Sequence, residues 1–211
     1  MRKPQSVAAL TDLGRARLSE HFFMREMLYS EVANFHGMPN IPDDPDLAIA
    51  AGEKLCRLVL EPMRRGLGHI TIRSAYRSPS VNGFCNERLK AGDLAYFCGE
   101  NDFNRARHIW DQRDAAGFLG ATVSLVVPGY LAHYERTGDY RALGWWIRDH
   151  IEHYAEVAFY PWQCAFNIRW YEGPSDQSIS HWSEGTRTLL TNAAMTNFPG
   201  GHADAYRSII P

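Results

Sequence analysis

The apolar stripe between Pro45 and Leu67 constrains the fold more than any other stretch of the sequence. Apolar side chains recur there about every 3.6 residues, at Leu47, Ala51, Leu55, Leu58, Val59 and Met63. This period is typical of an amphipathic helix with one buried face. Acidic residues at the start and arginines near the end suit the helix dipole. We therefore predict a helix from Pro45 to about Leu67 that packs on the core.

Shorter helical and extended patterns alternate with this helix. β-branched residues predict a short strand within 69–76, and apolar runs predict strands over 121–127, 156–159 and 166–171. Helical patterns fill the intervals, with the exception of the polar stretch 90–107. The remainder from Gly173 has no strong period, and we interpret it as a partly ordered tail.

This order of elements is typical of an α+β fold, in which helices pack on a small, mainly antiparallel sheet. A length of 211 residues favours one domain. We divide the chain into an N-terminal arm (1–17), an α+β domain (18–175) and a C-terminal extension (176–211). The sequence leaves open whether the extension packs on the domain.

The composition argues against two classes of partner. A net charge of −2 disfavours nucleic-acid binding by bulk electrostatics. The sequence lacks both a long apolar run and the apolar core of a signal peptide, so we expect no membrane partner and a cytoplasmic location. Release by a phage lysis system is equally compatible with this sequence. The four cysteines lack C-x-x-C spacing and are expected to be free thiols. No pattern indicates an oligomeric state.

A series of short motifs lies in order between residues 18 and 82. They are His21-Phe22, Arg25-Glu26, Leu60-Glu61-Pro62, the stretch Ile72–Pro79 and Val81-Asn82. In this order and at these separations they resemble the start of the zinc carboxypeptidases of peptidase family M15. The resemblance implies the Hedgehog/DD-peptidase fold and hydrolysis of D-Ala-D-Ala or related cell-wall peptides.

The same resemblance implies one zinc ion, bound by two His and one Asp, with a Glu as general base. Three protein ligands and a water form an open catalytic zinc site. The aligned ligand positions of this chain hold Gly117, Ser124 and Asn167, and none can replace its ligand. The base position falls near Phe159 or Tyr160, with Glu156 slightly early. We therefore expect a degenerate zinc site, with no cofactor as the preferred prediction and zinc left open.

His108 and Asp111 offer a substitute for the missing ligands. If the segment is helical, the two side chains share one face because they lie three residues apart. They then hold a metal, or Asp111 orients His108 as a general base. The alternative is a local turn held by ion pairs with Arg107 and Arg113. Tyr76 completes the set of candidate catalytic residues.

Arg73 and Arg77 flank Tyr76 at the end of a predicted strand. The resemblance implies that the Arg of Tyr-Arg-Ser holds the substrate carboxylate, and guanidinium groups pair well with carboxylates. The alternative is that they tie the strand to the next helix. Ser78 and Asn82 join the candidate substrate-binding residues, although Ser78 also has the position of a helix N-cap.

Three functions remain open from the sequence. The first is a cell-wall peptide hydrolase of the M15 type with rearranged site residues. The second is a protein of the same fold without zinc, which binds a peptide or glycan or belongs to a phage or prophage particle. The third is metal-independent chemistry in the same cleft, using Tyr76, Arg77, His108 and Asp111. A peptide or another small anion is the expected ligand in each case.

Overall fold

A computed structural model describes residues 1–210 and has one six-stranded sheet with helices packed against it. The strands are β1 (Thr71–Ser74), β2 (Gly120–Val126), β3 (Glu156–Phe159), β4 (Phe166–Tyr171), β5 (Ser178–Ser183) and β6 (Thr186–Thr191). Their order across the sheet is β1-β2-β4-β3-β5-β6. Neighbouring strands are antiparallel except β3 and β5, which are parallel. The predicted α+β class with a mainly antiparallel sheet is confirmed.

The α-helices lie before β1 or in the connections from β1 to β2 and from β2 to β3. They are α1 (Val7–Gly14), α2 (Met24–Met27), α3 (Glu31–Phe35), α4 (Pro45–Leu55), α5 (Glu61–Leu67), α6 (Pro79–Lys90), α7 (Asn101–Asn104), α8 (Pro128–Thr137) and α9 (Arg141–His150). Short 3₁₀ turns cover Leu94–Tyr96 and Ala203–Ala205. Among residues 1–210, no helix combines the length and apolar character needed to cross a membrane.

The predicted helix from Pro45 to Leu67 is confirmed as a continuous helical stretch. A π-helical turn, Cys56–Leu60, joins α4 to α5. Asp44 caps the start, because its Oδ1 accepts hydrogen bonds from the backbone of Asp46 and Leu47, both at 3.1 Å. The apolar stripe is buried in the core that it shares with β2 and β4. Burial of this stripe fixes the helix across the sheet.

The interpretation of the chain from Gly173 as a partly ordered tail is wrong for residues 178–191. This stretch forms β5 and β6, and β5 pairs with β3 in the middle of the sheet. Ser180 is fully buried, and its hydroxyl donates a hydrogen bond to the Val157 carbonyl at 3.2 Å. A satisfied buried hydroxyl is stable inside a sheet, but it interrupts the apolar pattern that marks a strand in sequence.

The last residues pack against α9. The carboxylate of Asp149 accepts a hydrogen bond from the backbone of His202 at 2.6 Å and lies 2.9 Å from His202 Nδ1. The His202 ring stacks on Trp145 with 4.0 Å between ring centroids. The C-terminal extension is therefore part of the same packed structure as the sheet.

Candidate functional site

A cavity of about 420 Å³ opens on the sheet next to the loops that follow α6. Its floor comes from β2, β3 and β4, and its wall comes from the strand end of β1 and from residues 95–108. Charged and polar side chains form most of its lining: Glu31, Arg73, Ser74, Arg77, Asn104, Arg107, His108, Thr122, Ser124, Glu156, Tyr160, Asn167 and Arg169. The remaining lining residues are aromatic (Phe97, Phe103, Trp162 and Trp182) or small (Ala95, Cys98, Gly99 and Ala158).

The segment that carries His108 packs closely against β2. A side chain at Gly120 would overlap the Ala106 carbonyl, so only a glycine permits this approach. The backbone of Thr122 donates a hydrogen bond to the Arg107 carbonyl at 2.9 Å. Residues 105–111 consequently form turns rather than a helix. The predicted helical face shared by His108 and Asp111 is wrong, because contacts with distant residues determine the conformation of this segment.

His108 is buried and points its Nε2 atom into the cavity. Its Nδ1 lies 2.9 Å from the Ala75 carbonyl oxygen, which can only accept, so Nδ1 carries the proton. Nε2 is then an acceptor, 3.4 Å from the Asn167 amide nitrogen. Burial, followed by the charge of Arg77, lowers the pKa of His108 to about 3. A neutral imidazole accepts hydrogen bonds, and a group with this pKa is a weak general base near pH 7.

Asp111 and Tyr76 lie outside the cavity lining and form a hydrogen bond with each other. The Tyr76 hydroxyl donates to Asp111 Oδ1 at 3.2 Å, and Asp111 Oδ2 accepts from the backbone of Asp43 at 2.7 Å. Burial raises the pKa of the Asp111 carboxyl despite these bonds. Asp111 therefore ties the loop before α4 to the end of β1, and the structure does not bring it to His108.

The floor presents several hydrogen-bonding groups. Ser124 and Asn167 are opposite each other on β2 and β4, and the Asn167 amide donates to the Tyr160 hydroxyl at 3.2 Å. Thr122 is 5% exposed, and its Oγ1 has no hydrogen-bond partner among residues 1–210. A buried hydroxyl without a partner costs free energy in the folded state. Gly117 lies in a turn outside the cavity lining.

Three of the four lining arginines, Arg77, Arg107 and Arg169, donate hydrogen bonds within the protein. Arg107 pairs with Glu156, which also accepts from Arg187 at 3.2 Å. Burial alone would raise the pKa of Glu156, but the arginines outweigh it and hold that pKa below its ordinary value. Arg169 donates to the Ala106 carbonyl at 2.9 Å and stacks over Tyr171. These contacts hold Arg107 and Arg169 in fixed positions.

No carboxylate within residues 1–210 lies within 4.0 Å of the guanidinium of Arg73 or Arg77, and the same holds for Arg169. Arg73 is exposed at the cavity edge. Arg77 Nη1 donates to Asn82 Oδ1 at 3.2 Å. Asn82 is fully buried, lies outside the cavity lining, and donates to the Gly99 carbonyl at 3.1 Å.

The N-cap prediction for Ser78 is confirmed. Its Oγ accepts a hydrogen bond from the Val81 backbone at 3.3 Å. Ser78 is buried and lies outside the cavity lining. Of the four predicted substrate-binding residues, Arg73 and Arg77 therefore line the cavity, and Ser78 and Asn82 support it.

Within residues 1–210, the only cluster of three acidic, His or Cys ligands close enough to hold a metal lies elsewhere. Glu20, His21 and Glu61 place one ligand atom each within 4.8 Å of one another. Glu61 already accepts hydrogen bonds from Ser19 at 2.7 Å and from the His21 backbone at 2.9 Å. The cavity does not fit the zinc implied by the resemblance, because Ser124 and Asn167 are not zinc ligands and the arginines repel a cation.

Comparisons of the chain with family models, with curated proteins and with solved structures gave no match. The residues that sequence reasoning missed are Arg107, Arg169, Thr122 and the aromatic side chains at the rim. Three of these aromatic residues are large and highly exposed, and we call them the rim of the cavity: Phe97 (69%), Phe103 (62%) and Trp162 (68%). In the sequence they are visible only as aromatic residues within polar loops. That pattern does not show whether such a residue borders a cavity or packs on its neighbours.

Proposed function

We propose that this protein binds the carboxylate end of a short peptide in the arginine-lined cavity and that it does so without zinc. The observation that carries the proposal is the state of Arg73 and Arg77. Both line the cavity, and neither has a carboxylate partner within residues 1–210. A guanidinium pairs bidentately with a carboxylate, and such charge-assisted hydrogen bonds are among the stronger ones in proteins.

The polar floor supports a peptide as the ligand. His108 Nε2 is an acceptor, and the Tyr160 hydroxyl retains its own proton for donation. Peptide groups offer both donors and acceptors to such a surface. The exposed aromatic residues at the rim supply apolar contact for side chains of the ligand.

The proposal includes a divergent relationship to peptidase family M15. It is supported by the two strand positions, Ser124 and Asn167, that the resemblance aligns with zinc ligands. These residues are cross-strand neighbours and line the same cavity as His108. A protein of this architecture that lost all three zinc ligands would keep a peptide-sized cleft while losing hydrolysis through zinc.

Two observations favour binding over metal-independent catalysis. A pKa of about 3 makes His108 a poor general base at neutral pH. Tyr76 and Asp111 bond each other outside the cavity lining, so they are not placed to assist His108. His108, Tyr76 and Asp111 therefore do not form a catalytic set in the cavity, whereas the hydrogen-bonding groups of its lining are placed for recognition.

The test is a titration of the protein with N-acetyl-alanyl-alanine and with the C-terminal amide of the same peptide, followed by amide NMR shifts. We expect the free carboxylate to bind at least about tenfold tighter than the amide, since one charge-assisted bond contributes about 1.5–3 kcal/mol. Arg73→Gln and Arg77→Gln should each remove most of this difference.

Arg65→Gln is the matched control, because Arg65 is exposed and lies outside the cavity lining. It should bind the free carboxylate as the unmodified protein does. Equal affinity for acid and amide, or shifts that do not map to the cavity, would contradict the proposal. Release of free alanine by the wild type would instead favour the hydrolase.

A further inference from the structure

Cys98 occupies an unusual position for a buried thiol, because it lines the cavity and contacts a cation. Its Sγ accepts a hydrogen bond from Arg77 Nη1 at 2.8 Å and lies 2.9 Å from Asn82 Oδ1. The Asn104 amide approaches the same sulfur at 3.9 Å. A guanidinium beside a sulfur atom stabilises the thiolate, which is the reactive form of cysteine.

A second cysteine lies directly behind Cys98. Cys85, on α6, belongs to the same small apolar cluster as Cys98, Val81 and Ala33. The proximity of the Cys85 thiol, with the nearby Arg77, outweighs burial and lowers the pKa of Cys98 below its ordinary value. The same interaction, together with burial, raises the pKa of Cys85. The pair therefore separates into a nucleophilic sulfur at the cavity and a protonated sulfur behind it.

The other two cysteines provide a contrast within the same chain. Cys56 is fully buried in the main core, and burial and Glu61 raise its pKa. Cys164 is 2% exposed, and burial followed by Asp139 raises its pKa to about 12. Neither lines the cavity, so neither thiol is expected to react at neutral pH.

We propose that Cys98 and Cys85 form a redox-modification site, in which hydrogen peroxide entering the cavity converts the two thiols to a disulfide. In the first step the Cys98 thiolate attacks one peroxide oxygen, the O–O bond breaks, and the departing hydroxide takes a proton to leave as water. Sulfur is oxidised to sulfenic acid and peroxide is reduced.

In the second step the Cys85 sulfur attacks the Cys98 sulfenic sulfur. The S–S bond forms, the S–O bond breaks, and the hydroxyl group leaves as a second water with the Cys85 proton. Two thiols and one peroxide thus give one disulfide and two waters. The reaction needs no peptide ligand, because its reactants are the two sulfurs and peroxide alone, although Arg77 is shared with the proposed peptide site.

The experiment treats the full chain with hydrogen peroxide at pH 7 and digests it with trypsin after blocking free thiols. We expect a disulfide that joins the peptides 78–88 and 91–105, which carry Cys85 and Cys98. Cys98 should disappear at least about tenfold faster than Cys56 and Cys164 in the same sample. Cys85→Ser should leave a sulfenic acid on Cys98 that a dimedone probe captures.

The four thiols of one unmodified protein supply the comparison, so the result does not depend on a variant that folds poorly. The proposal is overturned if Cys98 reacts no faster than Cys56 and Cys164, or if oxidation joins other cysteine pairs. It is also overturned if Cys98→Ser, with an unchanged circular dichroism spectrum, still loses the Cys85 thiol at the original rate. Peptide affinity is measured in a separate experiment. If the peptide does not bind, the oxidation experiment still tests the redox proposal.

Discussion

The imidazole of His108 and the carbonyl of Ala75 are 2.9 Å apart, and this contact joins the turn after α7 to the residue that follows β1. The backbone of Arg77 donates to the His108 carbonyl at 2.8 Å, so the two segments are bonded in both directions. The side chain at the cavity is thereby held in one tautomer and one orientation. His108 therefore ties these two segments together through both its ring and its backbone.

His108 should impose a pH dependence on stability. Its folded pKa, about 3, is below the unfolded value of about 6.5. Below pH 6.5 the unfolded state binds a proton that the folded state does not. As the pH falls from about 6 to about 4, the unmodified protein should lose about 1.4 kcal/mol of unfolding free energy per pH unit relative to the His108→Asn variant.

Urea unfolding at a series of pH values measures this difference. The matched control is His153→Asn, because His153 is an exposed residue. The stability difference between the control variant and the unmodified protein should not follow this slope. A slope for His108→Asn that equals the control slope would mean that the folded imidazole protonates freely.

Asp111 should contribute to stability and not to binding. Asp111→Ala removes the acceptor of the Tyr76 hydroxyl and of the Asp43 backbone. We expect the free energy of unfolding to fall by about 2–3 kcal/mol, because buried donors lose a charged acceptor. Asp102→Ala, at an exposed ion pair, should change it by less than about 0.5 kcal/mol. Loss of peptide affinity in a folded, stable Asp111→Ala protein would assign Asp111 to the site.

Gly120 should tolerate no side chain. Alanine there overlaps the Ala106 carbonyl and pushes the segment that carries His108 away from β2. We expect a loss of about 2–3 kcal/mol in unfolding free energy. Gly201→Ala is the control, because no atom lies within 4 Å of its added methyl group. Equal stability of the two variants in urea would show that the segment adjusts without cost.

Asp149 should make the packing of the C-terminal residues sensitive to acid. Burial alone would raise its pKa, but bonds from His202 and Arg148 hold it below the ordinary value. The stabilising contribution is complete above the unfolded pKa of about 3.9 and is lost as pH falls through the folded pKa. Asp149→Asn should therefore be less stable than the unmodified protein at pH 6, and the difference should narrow below about pH 4.

Thermal unfolding at pH 6 and pH 3 gives this comparison. Asp204→Asn is the matched control, since the Asp204 side chain is 94% exposed. Its stability should match that of the unmodified protein at both pH values. A constant difference for Asp149→Asn across the range would show that the carboxylate charge does not stabilise the contact.

The elements that the sequence predicts well are those whose burial pattern is local. The helix from Pro45 to Leu67 and the strands 156–159 and 166–171 carry their apolar period in consecutive residues. The sequence does not predict β5, because Ser178 and Ser180 are polar residues that are buried in the folded protein. Their hydroxyl partners come from distant residues, and a local pattern does not reveal them.

The site is predictable only in part for the same reason. Arg73 and Arg77 lie at the end of a recognisable strand, and the structure places both at the cavity. The conformation of His108 depends on Ala75 and on the close approach at Gly120, which are both contacts between distant segments. Spacing alone therefore paired His108 with Asp111, although the two side chains bond different parts of the chain.

The parallel pairing of β3 with β5 has a consequence for biosynthesis. β3 pairs on one side with β4, which follows it directly in the chain, and on the other side with β5, which comes later at residues 178–183. A nascent chain that has emerged only as far as β4 would present the backbone groups of β3 as an open edge. Such edges recruit strands from other chains. The ribosome-bound protein should therefore rely on chaperones until its last strands emerge.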